Sequence, residues 1–244
     1  MFQKNGPTFV ALIRQALAST RDGYDMLAPQ FDLTPFRTPD AILKPAVAAI
    51  VASASASLSP FDSAIDLCCG TGAAMDILLP HISERLVGVD FSEGMLEIAR
   101  ANLKNEDYPC SVEFVEQNVM DLTTVREYDL AVCFGALGHI PEAEEREFVR
   151  RVYRTLKPGG LFAFVTHYRP ATITPRIAIL KLFNGVMWMR NRLRKPEFIM
   201  YYLTFLLPDI ETKLQDEGFI TEVIEGLFEE PFQRGCLVIA RKGV

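Results

Sequence analysis

A doubly wound α/β domain, a mainly parallel sheet covered by helices on both faces, is the fold that this 244-residue sequence predicts. Three observations carry that prediction. Beyond residue 60, apolar runs of strand length alternate with stretches of helical spacing. The first run, Ala64-Ile65-Asp66-Leu67, breaks into the small-residue turn Cys68-Cys69-Gly70-Thr71-Gly72, which opens onto a helical pattern from Ala73 to Leu79. A later run, Asp129 to Phe134, is apolar almost throughout, as a central strand buried on both faces has to be. With 49% hydrophobic residues, the chain has enough apolar side chains for one domain with a large core and an elaboration.

The N-terminal part precedes the sheet. Phe9 to Leu17 is apolar but interrupted by Arg14 and Gln15, so it reads as an amphipathic helix and makes a poor signal-peptide core. Tyr24-Asp25-Met26-Leu27-Ala28-Pro29-Gln30-Phe31-Asp32 follows, then Pro35, Pro39 and a second helical run from Asp40 to about Ser53 that contains Pro45. Ser55 to Pro60 is the expected linker to the first strand. Residues 1–58 are therefore expected to form a helical cap, and residues 59–244 the main domain.

The turn after the first strand selects the ligand class. Gly70 and Gly72 allow backbone dihedrals that a side chain forbids, and they let a ligand approach the amides. A dinucleotide fingerprint would need a third glycine where Met75 stands, and a P-loop would need Gly-Lys-Ser/Thr; neither is present. The second strand, Arg85 to Asp90, also ends on a carboxylate, and Ser92 is placed to cap the helix from Glu93 to Leu103. Asp90 lies 20 residues beyond Gly70. One helix and one returning strand span that distance, so its carboxylate is expected beside the turn, where it can accept hydrogen bonds from ribose hydroxyls.

A third strand, Ser111 to Val115, leads into Gln117-Asn118-Val119. The central strand leads into Gly135-Ala136-Leu137-Gly138-His139-Ile140-Pro141, at the carboxyl edge of the sheet where open α/β folds bind ligands. Pro141 suits the start of a helix to Leu156 with acids early and arginines late, in keeping with its dipole. Lys157-Pro158-Gly159-Gly160 fits a type II turn before a fifth strand, Leu161 to Thr166.

Taken in this order, the acidic strand end with Gly70-x-Gly72, Asp90, the Leu137-Gly138-His139-Ile140 segment and Leu156-Lys157-Pro158-Gly159-Gly160 resemble the motifs of class I S-adenosylmethionine-dependent methyltransferases across roughly residues 60–168. Cys68 stands where the family's first motif glycine is usual. The resemblance implies a Rossmann-like doubly wound sheet of seven strands with an antiparallel last strand, S-adenosylmethionine as cofactor and no metal. It implies cofactor contacts from Asp66, Cys68, Gly70, Gly72, Asp90, Phe91, Met95 and Phe134, and from Asn118 and Val119 at the family's adenine-contacting position. The Tyr24-Asp25-x-x-Ala28 pattern is similar to a segment that closes over the cofactor in small-molecule methyltransferases, which makes Tyr24 and Phe31 candidates for that contact or for an aromatic anchor of the cap. His139 aligns with the second histidine of the family's post-strand motif. His139 and His167 are both expected on the ligand edge, as general bases or as hydrogen-bonded structural residues.

Between Arg169 and Pro196 the chain has seven Lys or Arg and no acid, interleaved with apolar residues and Trp188. Residues 169–207 are read as an inserted lid over the acceptor side. A helix from Pro208 to Glu217 and strands at Phe219 to Ile224 and Cys236 to Ala240 complete the pattern. A net charge of −6 argues against nucleic-acid binding, which requires a basic footprint, while the insertion leaves open a peripheral contact with a membrane. Five cysteines without metal-ligand spacing read as reduced core thiols, and no run of eighteen uninterrupted apolar residues occurs, so a cytoplasmic location is expected. The expected activity is methyl transfer to a small-molecule acceptor, hydrophobic or anionic. A cofactor-binding regulatory or scaffold protein is the alternative; oligomeric state is not indicated. A synthase transferring the aminopropyl group is a third reading, but the acidic amine-binding residues expected there are not evident in this chain.

Overall fold

A computed structural model describes residues 6–54, 61–104 and 108–243. The expected linker from Ser55 to Pro60 lies outside the described residues. Seven strands form one sheet in the order β3-β2-β1-β4-β5-β7-β6, with β1 Phe61–Leu67, β2 Ile82–Asp90, β3 Ser111–Glu116, β4 Tyr128–Cys133, β5 Leu156–Thr166, β6 Phe219–Ile224 and β7 Cys236–Lys242. β7 runs antiparallel to both β5 and β6, and the β1, β2, β3, β4 and β5 pairings are parallel. This is the sheet the resemblance implied.

Period-two alternation splits each central strand between two cores. Ile65, Leu67, Ala131 and Cys133 face one side with Phe148, Val149 and Val152 of helix α6 (Glu145–Thr155) and Ile210 and Leu214 of α8 (Asp209–Glu217). Ala64, Leu130 and Val132 face the other side with α3 (Asp40–Ala54), α4 (Ala73–Leu78) and α5 (Glu93–Asn102). A strand covered this way cannot alternate with polar residues, which is why β4 is apolar almost throughout. β5 starts earlier than expected, because Tyr128 pairs with Leu156 while Leu130 pairs with Leu161. The four residues between bulge out at Pro158 and Gly159, with Gly159 at φ +79° as a type II turn requires.

The chain leaves β1 for β2 and β3 on one side of the sheet and returns to β4 on the other, so the crevice between the carboxyl ends of β1 and β4 is the topological switch point. Over it lie α2 (Thr20–Leu27) and the 3-10 turn Ala28–Leu33, with α1 (Phe9–Leu17) packed on α2. Each helix has a side-chain N-cap: Thr8 accepts from the amide of Ala11, and Ser19 from that of Asp22. α2 was not legible as a helix in the sequence.

The basic insertion forms α7 (Pro175–Leu193), which buries only Met187 and Asn191. The strand of chain after it returns to the sheet edge. Tyr201 N donates to Gly138 O at 2.7 Å, Thr204 Oγ1 to Leu137 O at 3.1 Å, and Phe205 N to the buried carboxylate of Glu145 at 2.9 Å. The insertion thus has two parts, a helix that projects outward and a loop that packs on the segment after β4.

Candidate active site

The turn after β1 is held in left-handed geometry. Cys68, Gly70 and Gly72 sit at φ +59°, +54° and +84°. Gly70 faces open space, because a Cβ there would meet nothing nearer than Phe31 at 4.0 Å. Gly72 is different: a Cβ would lie 2.9 Å from Leu103 Cδ1, so this glycine is needed for packing of α4 on α5 and does not line the cleft. Cys68 takes the left-handed conformation despite its side chain, at a cost of about 1–2 kcal/mol.

Asp90 braces this turn. Its Oδ2 accepts from Gly70 N at 2.9 Å and its Oδ1 from Ser92 N at 2.9 Å, joining the turn after β1 to the entry of α5. Each carboxylate oxygen keeps a further lone pair for a ligand. Burial pushes the Asp90 carboxyl above its ordinary range, against the pull of those amides. Asp66 is also buried, and its Oδ2 has no hydrogen-bond partner among the described residues. Burial, with the charge of Asp90, raises its carboxyl well above the usual range. An orphaned buried carboxylate is costly, and a cationic donor in the cleft would relieve it.

The cap closes over these groups at three points. Tyr24 Oη lies 2.8 Å from His139 Nε2, Asp25 Oδ1 accepts from Ser92 Oγ at 2.6 Å and Gly94 N at 3.0 Å, and Thr71 Oγ1 donates to Asp32 Oδ1 at 2.7 Å. Below the cap is a cleft that opens to solvent at the topological switch point. Its walls carry Tyr24, Phe31, Phe36, Phe91 and Phe134, with Asp66 and Asp90 among its polar groups. Tyr24 packs against Phe31 and Phe91 with ring centroids 6.1 and 6.4 Å apart.

The protonation of the Tyr24–His139 pair follows from geometry. His139 Nδ1 lies 2.5 Å from the Ile199 carbonyl, which can only accept, so Nδ1 carries the proton. Nε2 is then the acceptor and Tyr24 donates. Burial lowers the His139 pKa and burial, followed by the charge of Asp90, raises that of Tyr24, which keeps both groups neutral in this arrangement.

Of the residues singled out in the sequence, the structure brings Tyr24, Phe31, Asp66, Cys68, Gly70, Asp90, Phe91, Met95, Phe134 and His139 to the cleft. Others lie elsewhere. Asn118 caps the turn Val119–Asp121, its Oδ1 accepting from Met120 N at 2.9 Å, and Val119 is buried in the core under α6. His167 is exposed, with Nδ1 3.0 Å from Arg234 O, and does not line the cleft. α7 contributes nothing to the lining either. The clamps made by Asp25 and Asp32, and Thr38 against Gly135, were missed. Gly135 is at φ +85° with the Thr38 hydroxyl where its Cβ would stand. The two acids flanking the aromatic positions of the 24–32 segment were the available signal.

Residues 64–160 match a family model described as a methyltransferase domain. A demethylmenaquinone methyltransferase of Lactococcus lactis subsp. lactis is 34% identical over 128 residues, covering 51% of this chain and 50% of the relative. The chain spans about half the length of the curated relatives it matches. Among solved structures, the DhpI–SAH complex superposes with a TM-score of 0.63 at 20% identity, covering 97% of this chain and 99% of the other. A magnesium protoporphyrin IX methyltransferase from Synechocystis PCC 6803 with bound SAH gives 0.56 at 19% identity, covering 82% and 83%.

Proposed function

We propose, from the premise that this chain belongs to the class I S-adenosylmethionine-dependent methyltransferases, that it transfers the methyl group of S-adenosylmethionine to a small, hydrophobic or anionic acceptor. The observation that carries the reading is the pair of buried carboxylates at the switch point, Asp66 with its Oδ2 unpartnered among the described residues and Asp90 braced on the glycine turn. A nucleoside with a cationic amino-acid tail supplies what they lack: hydroxyl donors for Asp90 and a positive donor for Asp66. The open side of Gly70 leaves room for close backbone approach, and the aromatic walls suit a purine face.

When bound, the cofactor supplies an activated methyl group, so the chain's task is placement and exclusion of water. Asp90 fixes the ribose end, Asp66 orients the tail, and the Tyr24, Asp25 and Asp32 clamps hold the cap shut over both. The 198–205 loop, resting on Gly138 and Leu137, covers the acceptor side. His139 holds the cap rather than taking a proton from the acceptor, because both ring nitrogens are engaged. The name of the Lactococcus lactis relative supports the hydrophobic side of the acceptor class. The basic insertion is read as a peripheral contact with a membrane surface.

The engaged state of His139 also favours a second reading, a cofactor-binding regulatory protein without turnover. Transfer from methyl-labelled S-adenosylmethionine into fractionated polar and lipid extracts separates them. Label in one fraction together with S-adenosylhomocysteine release supports methyl transfer. Cofactor binding without label in any fraction supports the regulatory reading.

A further inference from the structure

Two helices outside the cleft carry apolar stripes that are largely exposed among the described residues. Along α7, Ile179, Leu182, Val186, Met189 and Leu193 recur at i, i+3, i+7, i+10 and i+14, the spacing of a single helix face, and they are 54–80% exposed. The opposite face holds the helix to the domain through Met187 and through Asn191, whose Nδ2 donates to Phe198 O at 3.0 Å. On α1, Val10, Ile13 and Leu17 recur at i, i+3 and i+7 and are 42–57% exposed. Arg190 Nη2 donates to Leu17 O at 2.9 Å and Ala18 O at 2.7 Å, which fastens the end of α1 beside α7. Scattered exposed apolar residues need no explanation, but two stripes fastened at one place do.

Charge identifies the occupant. Arg176, Lys181, Arg192 and Arg194 make no ion pair among the described residues, in a segment without a single acid, on a protein of net charge −6. Trp188, also on α7, is 58% exposed, with the Arg192 guanidinium 5.7 Å from its ring centroid. We propose that α1 and α7 form a docking face for an anionic lipid bilayer surface, the apolar stripes entering the headgroup boundary and the free cations meeting lipid phosphates. A second copy of the chain fits less well, because pairing through this face sets the same cationic helix against itself. A spanning role is excluded for these helices, since no helix among the described residues is long and apolar enough to cross a membrane. An interfacial helix needs only an apolar face and flanking cations. The inference deepens the reading of the insertion given above and does not depend on methyl transfer.

Cosedimentation of the full chain with phosphatidylcholine vesicles, with and without phosphatidylglycerol, tests it, with Trp188 emission recorded in parallel. Binding to the anionic vesicles with a blue shift is expected, weakened by salt and by about fivefold for each of Arg176, Lys181 and Arg192 changed to Gln. The double variant Leu182→Glu/Met189→Glu, both exposed positions, should bind at least about tenfold more weakly. Unchanged thermal unfolding midpoints would show that these variants fold. S-adenosylhomocysteine titration of the same proteins reports on the cleft separately, so failure there would not be confused with failure here. Absence of vesicle binding, or binding that ignores both sets of variants, would overturn the proposal. So would a dimer in light scattering that Leu182→Glu abolishes, since the face would then belong to a second copy.

Discussion

Replacing Asp90 probes the proposed cofactor site most sharply, and its two backbone hydrogen bonds decide which substitution to use. Asp90→Ala would leave the amides of Gly70 and Ser92 without acceptors. Each buried orphan costs about 1–3 kcal/mol, so the alanine variant sacrifices a large part of a total stability of about 5–15 kcal/mol. Asp90→Asn keeps one acceptor oxygen and loses the charge, at an expected cost to stability of about 1–3 kcal/mol, or roughly 2–4 °C per kcal/mol for a domain of this size. Its effect on ligand binding is larger than that on folding suggests. A charge-assisted hydrogen bond contributes about 1.5–3 kcal/mol, so losing the charged acceptor for the ribose should weaken S-adenosylhomocysteine at least about tenfold. Isothermal titration calorimetry on the folded variant measures this. Affinity within about threefold of the parent protein would refute the ribose assignment.

Tyr24→Phe removes the donor to His139 Nε2, so it should cost about 1–2 kcal/mol in thermal unfolding and loosen cofactor binding, while leaving the sheet intact by circular dichroism. Because burial depresses the His139 pKa, the unfolded chain takes up this proton before the folded one does; the stability from neutral His139 is present above its unfolded pKa and is lost as pH falls through the folded value. Unfolding midpoints between about pH 5 and pH 8 should therefore drop toward acid, with a smaller drop in His139→Gln. Gly72→Ala combines φ +84° with a Cβ 2.9 Å from Leu103 Cδ1, and should lower the unfolding midpoint by several degrees. At φ +59°, Cys68→Gly should be tolerated, whereas β-branched Cys68→Val should destabilise by about 1–2 kcal/mol in denaturant titrations.

Most of the sheet could be read from the chain because each strand end carries local chemistry: a carboxylate, a glycine turn, a proline-glycine turn. Asp66, Gly70 and Asp90 converge because one β-α-β unit fixes their spacing, and that unit is contiguous in sequence. The cap resisted reading for the opposite reason. Asp25 and Asp32 act on Ser92, Gly94 and Thr71, which are 39–69 residues away, and no periodicity encodes such pairings. Asn118 was drawn toward the cofactor by its motif position, but a short turn takes its side-chain oxygen first. His167 sits at the end of β5 as expected; its ring turns to the Arg234 carbonyl, because the loop before β7 lies against that strand end. For α7 the run of cations and apolar residues was legible in the chain, while the bounds of the helix and the direction of its apolar face depend on tertiary packing.

The cleft beneath the cap is the proposed binding place of S-adenosylmethionine. Amide hydrogen exchange with and without S-adenosylhomocysteine tests that directly, because cap and turn exchange through local opening. Protection is expected in residues 68–74, in 90–95 and in the cap from 20 to 34, with α7 unchanged. Protection confined to other segments, or none at ligand concentrations that saturate binding, would contradict it.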